Sequence, residues 1–134
     1  WKKHEEGLLS EKFDIGIMPL ADDAFQKGKC ALKLLQYMAA GLPTVASPVG
    51  ANKEVIQHRS TGFLAADDAE WHAALRCLLL NPELRISMGM QGRQRCENEY
   101  SIKRWLPVML KIFENVAHRS ATVLRRPTCS FHDS

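Results

Sequence analysis

The chain has 134 residues, of which 46% are hydrophobic and 25% charged, with a formal net charge of +3. That length bounds about one domain with a modest core, and the composition excludes disordered and fibrous classes. The small positive charge is spread along the chain, with no basic stripe or interleaved aromatics, which argues against nucleic acid.

Residues 3–12 are polar around Leu8 and Leu9 and read as a short surface helix. Phe13 to Leu20 (FDIGIMPL) is a short apolar run ended by Pro19, as expected of a buried strand. Gly16 inside it implies the close approach of another backbone or of a ligand. Asp22 and Asp23 fall in the following loop, where solvated or capping roles fit better than catalysis.

Ala21 to Gly28 is the loop, and Lys29 to Ala40 is expected to be helical. Ala31, Leu34, Leu35 and Met38 fall on one face by spacing, and Lys29, Lys33 and Gln36 on another. Gly41 ends this helix and Pro43 prevents its continuation. Pro43 to Ser47 reads as a central strand, and Pro48 to Gly50 as a turn. Ala51 to His58 is a short helix with Glu54 in its first turn, where the helix dipole favours an acid.

Thr61 to Ala65 is a third strand, and Asp67 or Asp68 caps the helix after it. Trp71, Ala74, Leu75, Leu78 and Leu79 have helical spacing up to Asn81-Pro82. Glu83 to Glu99 is a largely polar helix outside Leu84, Ile86 and Met88. Ser101 caps a last helix whose Ile102, Trp105, Leu106, Met109, Ile112, Phe113 and Val116 form an apolar stripe. Pro107 inside it would cost about 3 kcal/mol in a straight helix, so a kink or restart is expected. The expected organisation is a domain over residues 1–117 and a tail over 118–134.

Strands alternating with helices imply an α/β fold with a short parallel sheet of about three strands. Its first strand is left as a bare edge, through which a homodimer could form. Cys30, Cys77, Cys96 and Cys129 lack zinc spacing. Two of them fall on apolar helix faces, so reduced, buried thiols and a cytoplasmic setting are expected. No apolar run approaches the roughly 20 residues that a bilayer-spanning helix needs.

Ligands of open parallel sheets bind at the carboxyl ends of the strands. Those ends are the loops after Met18 and Ser47 and the helix start at Lys29. Gly28 admits close approach, and the helix's first N–H groups favour an anion such as a pyrophosphate. Lys29 and Lys33 could reach the phosphates, and Gln36 could bond sugar or ribose hydroxyls. A solvated polar face is the competing account of these residues. His4, His58, His72, His118 and His132 occur singly, and Arg85, Arg93, Arg95 and Arg104 read as the solvated side of the late helices.

FDIGIMPL, GKCALKLLQYMAAGLPTVASPVGANKEVI, TGFLA and GRQRCENEYSIKRW occur in that order. Together they resemble the C-terminal domain of group 1 retaining glycosyltransferases of the GT-B fold, from about Phe13 to Val116. The resemblance implies a partial Rossmann-like three-layer sandwich. It implies a UDP- or GDP-hexose as donor substrate, transfer to an acceptor with retention, and no metal or other cofactor. The parent enzyme can then sit at the periphery of the inner membrane. The donor-binding residues that it implies are Gly28, Lys29, Lys33 and Gln36, with the loop Pro48 to Lys53 nearby and Glu54 a weaker candidate.

The family's two glutamates fall on Gly28 and Gln36, so both acids are absent here. The sequence instead looks like a subgroup with a GKC-x-x-K-x-x-QYMA pattern, whose lysines could take over diphosphate contacts. The family's acceptor domain and the first strands of its donor domain have no counterpart in this sequence. No catalytic residue is therefore assigned, and the chain alone is expected to be inactive. The alternative is a stand-alone half-Rossmann module that binds a nucleotide or a protein without catalysis.

Overall fold

The computed structural model describes residues 12–124, with side chains as far as His118. The helix expected over residues 3–12 and the thiol of Cys129 lie outside the described residues, Lys12 excepted. The chain divides into two compact units, the first ending at Tyr100 and the second beginning at Ser101.

In the first unit, β1 (Gly16–Met18), β2 (Thr44–Ala46) and β3 (Gly62–Leu64) form one sheet in the order β1-β2-β3. Both pairings are parallel, with Ile17 beside Val45 and Val45 beside Phe63. Short helices α1 (Ala24–Lys27) and α2 (Leu32–Ala39) connect β1 to β2, and α3 (Asn52–Val55) connects β2 to β3. Then follow α4 (Asp68–Leu80), α5 (Pro82–Arg95) and a π-helical turn over Cys96–Tyr100.

The alternation of side chains along β2 builds two cores. Ala46 faces Ala31, Leu34 and Met38 of the α2 segment, with Val55 of α3 and Ile56 just after it. Val45 faces Ala74 and Leu78 of α4, with Ala65 and Met88. The sheet is thus covered on both faces, and the unit is a partial Rossmann-like α/β sandwich. All residues of β2 are buried, as its small and β-branched sequence leads one to expect of a central strand.

Gly16 is closely approached, but by a side chain. An added Cβ would stand 2.5 Å from the Tyr37 ring of α2, so neither a ligand nor a backbone occupies that space. Leu79 is exposed rather than buried, because α4 turns Leu78 and Ala74 to the sheet; Ile86 likewise faces outward from α5. Cys30 is exposed and Cys77 and Cys96 are half-buried, so none of these thiols is fully buried. The arginines are not a uniform solvated series. Arg85 donates to the carbonyls of Leu78 (2.7 Å) and Leu79 (3.1 Å) at the end of α4. Arg95 donates to the Glu54 carbonyl of α3 (2.9 Å). Both satisfy carbonyls that a helix C-terminus leaves open.

Helix α5 crosses the amino ends of the strands. Gly89 packs on the Gly41 carbonyl and on Pro43, just ahead of β2, and Gly92 packs on Met38 and the Thr61 carbonyl, just ahead of β3. The opposite, carboxyl ends stay clear of it.

The second unit is described through α6 (Ile102–Leu124), whose first turn is capped by Ser101 Oγ accepting from the Arg104 N–H (3.3 Å). The helix runs through Pro107 without a break and on past the boundary expected at His118. Pro107 is past the first turn, so it removes the bond to the Lys103 carbonyl and its ring crowds that carbonyl, a local cost that the rest of the helix absorbs. Ile102, Trp105, Leu106, Met109, Ile112, Phe113 and Val116 form the expected apolar stripe and are exposed. Among the described residues, no helix is long and apolar enough to cross a membrane.

Candidate functional site

The segment from Ala21 to Ala31 is built differently from the single helix start that its sequence suggested. Asp23 caps α1, its Oδ1 accepting from the Gln26 N–H (2.7 Å). Asp22 pairs with Lys27 (2.9 Å), so both acids serve local structure. Lys27 lowers the Asp22 carboxyl, first by hydrogen bonding and then by its charge, and Asp22 raises Lys27 in the same order. The pair is exposed and is therefore weakened by salt.

Gly28 ends α1 in right-handed geometry, its N–H donating to the Phe25 carbonyl (3.3 Å). It does not start α2. Lys29 also lies outside α2: its N–H donates to the Gln26 carbonyl (3.1 Å), and its ammonium sits 5.4 Å from the Phe25 ring centroid. Ala31 stands at the N-cap of α2 in left-handed conformation (φ 52°) and is buried. That reversal separates Lys29 from the helix. Only Lys33, which is exposed, and Gln36, which is half-buried, share a helix in the expected way. The open N–H groups of a first turn belong to α2 at Leu32, not to a helix start at Lys29.

The loop after β2 closes against this segment. Gly50 is left-handed (φ 53°), and an added Cβ would stand 2.7 Å from the Lys27 carbonyl oxygen. Ser47 and Asn52 anchor the same loop. The Leu20 N–H donates to Ser47 Oγ (2.9 Å), and Asn52 Nδ2 donates to the Ser47 carbonyl (2.9 Å). Sequence reasoning did not single out Ser47 or Asn52. The burial of Asn52 inside a short helix is what marks it. Gln26 was missed as well: its Oε1 is buried with no hydrogen-bond partner in the protein. Glu54 is exposed in the first turn of α3.

The Gly50 contact has a measurable consequence. Gly41 is also left-handed (φ 75°) but faces open space. Gly41→Ala should cost about 1 kcal/mol for the backbone alone. Gly50→Ala should cost about 2–3 kcal/mol, since crowding adds to the same backbone cost. Urea denaturation of the two variants separates the terms, and equal losses would show that the Gly50–Lys27 approach is loose.

The loops after Met18 and Ala46, with the Gly28–Ala31 connector, meet at the carboxyl ends of parallel strands. This is where open α/β sheets bind ligands. A surface depression lined by Glu83, Ile86, Ser87, Met90, Gln91 and Gln94 lies along α5 instead. Since α5 packs on the amino ends of the strands, that depression is at the wrong end of the sheet. Among the described residues, no group of acids, histidines and cysteines could hold a metal.

A sequence profile for the family described as "Glycosyl transferases group 1" matches residues 8–81, more than half of the chain. The chain belongs to the group 1 glycosyl transferases. D-inositol 3-phosphate glycosyltransferase of Pseudarthrobacter chlorophenolicus is 32% identical over 87 residues, covering 63% of this chain and 20% of that protein. N-acetyl-alpha-D-glucosaminyl L-malate synthase of Bacillus anthracis is 34% identical over 77 residues, covering 56% of this chain and 20% of that one. This group 1 glycosyl transferase chain thus spans about a fifth of the length of these relatives.

Two solved structures share the fold, both at 23% sequence identity. Sucrose-phosphate synthase of Thermosynechococcus elongatus aligns with a TM-score of 0.63 over 66% of this chain and 23% of its own. The C-terminal domain of a glycosyl transferase group 1 family protein from Francisella tularensis aligns with a TM-score of 0.56 over 69% of this chain and 46% of its own.

Proposed function

We propose that this chain is the donor-binding part of a retaining GT-B glycosyltransferase. It holds the diphosphate of a UDP- or GDP-hexose at the carboxyl ends of β1 and β2. The observation that carries the reading is the approach of the Gly50 loop to Lys27, directly ahead of the Gly28–Ala31 connector that leads into α2. Lys29 and Lys33 supply positive charge to the diphosphate, and the first N–H groups of α2 supply donors. Gln36 hydrogen-bonds sugar or ribose hydroxyls. Gly28 contributes space rather than a contact. Lys29 reaches the ligand from the connector, after leaving the Phe25 ring, while Lys33 reaches it from α2.

The chain spans about a fifth of the length of its relatives, so acceptor binding and hexosyl transfer belong to a whole protein of which this is a part. Stabilisation of charge in the transition state is a dominant catalytic term, and the described residues offer only part of it.

Calorimetric titration with UDP and GDP tests the reading. Lys29→Ala should weaken the bound nucleotide by about 1.5–3 kcal/mol, the range for a hydrogen bond to a charged group. Binding that the substitution leaves unchanged would remove Lys29 from the site. Absence of binding to either nucleotide would mean that this chain does not hold a donor by itself.

A further inference from the structure

Ser47 makes four hydrogen bonds at the end of β2. Its N–H donates to the Met18 carbonyl (3.2 Å), and its hydroxyl accepts from the Leu20 N–H (2.9 Å). Its carbonyl accepts from the Val49 N–H (2.8 Å) and from Asn52 Nδ2 (2.9 Å). Ser47 is 8% exposed and Asn52 1%, so water competes little for these bonds. One residue thereby ties the loop after β1, the loop after β2 and the start of α3 together. The Val49 and Asn52 bonds bracket Gly50, whose backbone lies against that of Lys27. Lys27 is followed directly by Gly28 and Lys29.

We infer that Ser47 and Asn52 are positioning residues, which fix the Lys27–Lys29 segment through Gly50 without touching a ligand. Gly50 has no side chain to reach across, so the coupling is made by backbone packing and depends on where the Ser47 carbonyl holds the turn. A loosened hub lets Gly50 retreat, and Gly28 and Lys29 lose the surface that limits their motion. The consequence for ligand binding rests on the proposed nucleotide site; the coupling itself does not.

The test is site-resolved amide exchange on the full chain in Ser47→Ala, Ser47→Thr and Asn52→Ala. Exchange at Leu20 should rise about ten-fold in Ser47→Ala, with smaller changes at Val45 and Leu78, as local opening requires. Gly28 and Lys29 should stay protected in that variant, because the Ser47 carbonyl keeps its bonds to Val49 and Asn52. Ser47→Thr keeps the hydroxyl and should return Leu20 towards wild type. Asn52→Ala should accelerate Gly28 and Lys29 while leaving Leu20 protected, because the Ser47 hydroxyl is intact.

A uniform rise across Val45, Leu78 and Lys29 would show a general packing role and overturn the inference. So would unchanged exchange at Gly28 and Lys29 in Asn52→Ala, which removes the bond to the Ser47 carbonyl. Titration with UDP and GDP then separates the two claims. Affinity lost in Asn52→Ala, with the exchange rise confined to Gly28 and Lys29, links the hub to binding. If the wild-type chain binds neither nucleotide, the donor-site reading fails, and the exchange pattern still decides the coupling.

Discussion

Gly89→Ala should destabilise the chain by about 3 kcal/mol, at the upper end of the range for overpacking. An added methyl would fall on the Gly41 carbonyl oxygen, and the carbon behind it would be 2.9 Å away. The carbonyl cannot swing aside cheaply. Gly41 is fixed in a left-handed turn, its N–H donating to the Met38 carbonyl (2.9 Å). The next N–H, of Leu42, donates to the Tyr37 carbonyl (2.9 Å). Helix propensity works the other way, since glycine to alanine inside a helix gains about 1 kcal/mol. Gly92, one turn later in α5, isolates that gain. An added Cβ there meets Met38 and the Thr61 carbonyl at 3.5 Å, an ordinary contact. Gly92→Ala should therefore leave stability unchanged or raise it by up to about 1 kcal/mol. Guanidinium denaturation of both variants checks the pair. Equal behaviour would mean that α5 does not seat on the Gly41 turn as described.

That crowded contact lies at the amino ends of the strands, while the candidate site lies at the carboxyl ends. Its sequence signal is weak. A glycine in a polar helix looks like a tolerated defect until the partner backbone is known. The strands were more legible. Each apolar run is bounded by proline or glycine, and each strand forms inside the stretch expected for it. The central place of β2 could also be read, since Thr44, Val45 and Ala46 are small or β-branched and leave no polar face.

The helix start was misjudged for a physical reason. Lys29, Cys30 and Ala31 carry no breaker, and alanine is the best helix former. Tertiary burial of Ala31 overrides that preference and holds it left-handed. A signal was nevertheless present. Asp23 followed three residues later by Gln26, with Gly28 after Lys27, is the pattern of a single capped turn. Reading it would have placed Lys29 in a connector rather than on the face of Lys33 and Gln36. Asn52 and Ser47 had no such signal, because their bonds run between segments that only the sheet brings together.

Leu34→Ala and Leu78→Ala should each destabilise the chain by about 3 kcal/mol or more, as removal of a fully buried leucine does. Both side chains are 0% exposed, and they lie on opposite faces of the sheet. Each variant should nonetheless lower one common transition. The reason is the shortness of β2: Val45 belongs to the Leu78 core and Ala46 to the Leu34 core. A strand of 3 residues holds little by its own ladder, so neither face keeps its shape once the other opens. Urea unfolding can be followed by far-ultraviolet circular dichroism and by Trp71 fluorescence, with Trp1→Phe and Trp105→Phe removing the other tryptophans. Trp71 packs on the Leu78 core and so reports the face opposite Leu34. In Leu34→Ala both signals should shift to the same lower midpoint. A Trp71 transition left at the wild-type midpoint would show two independent cores. The sheet would then be a seam between them rather than the element that binds them into one cooperative unit.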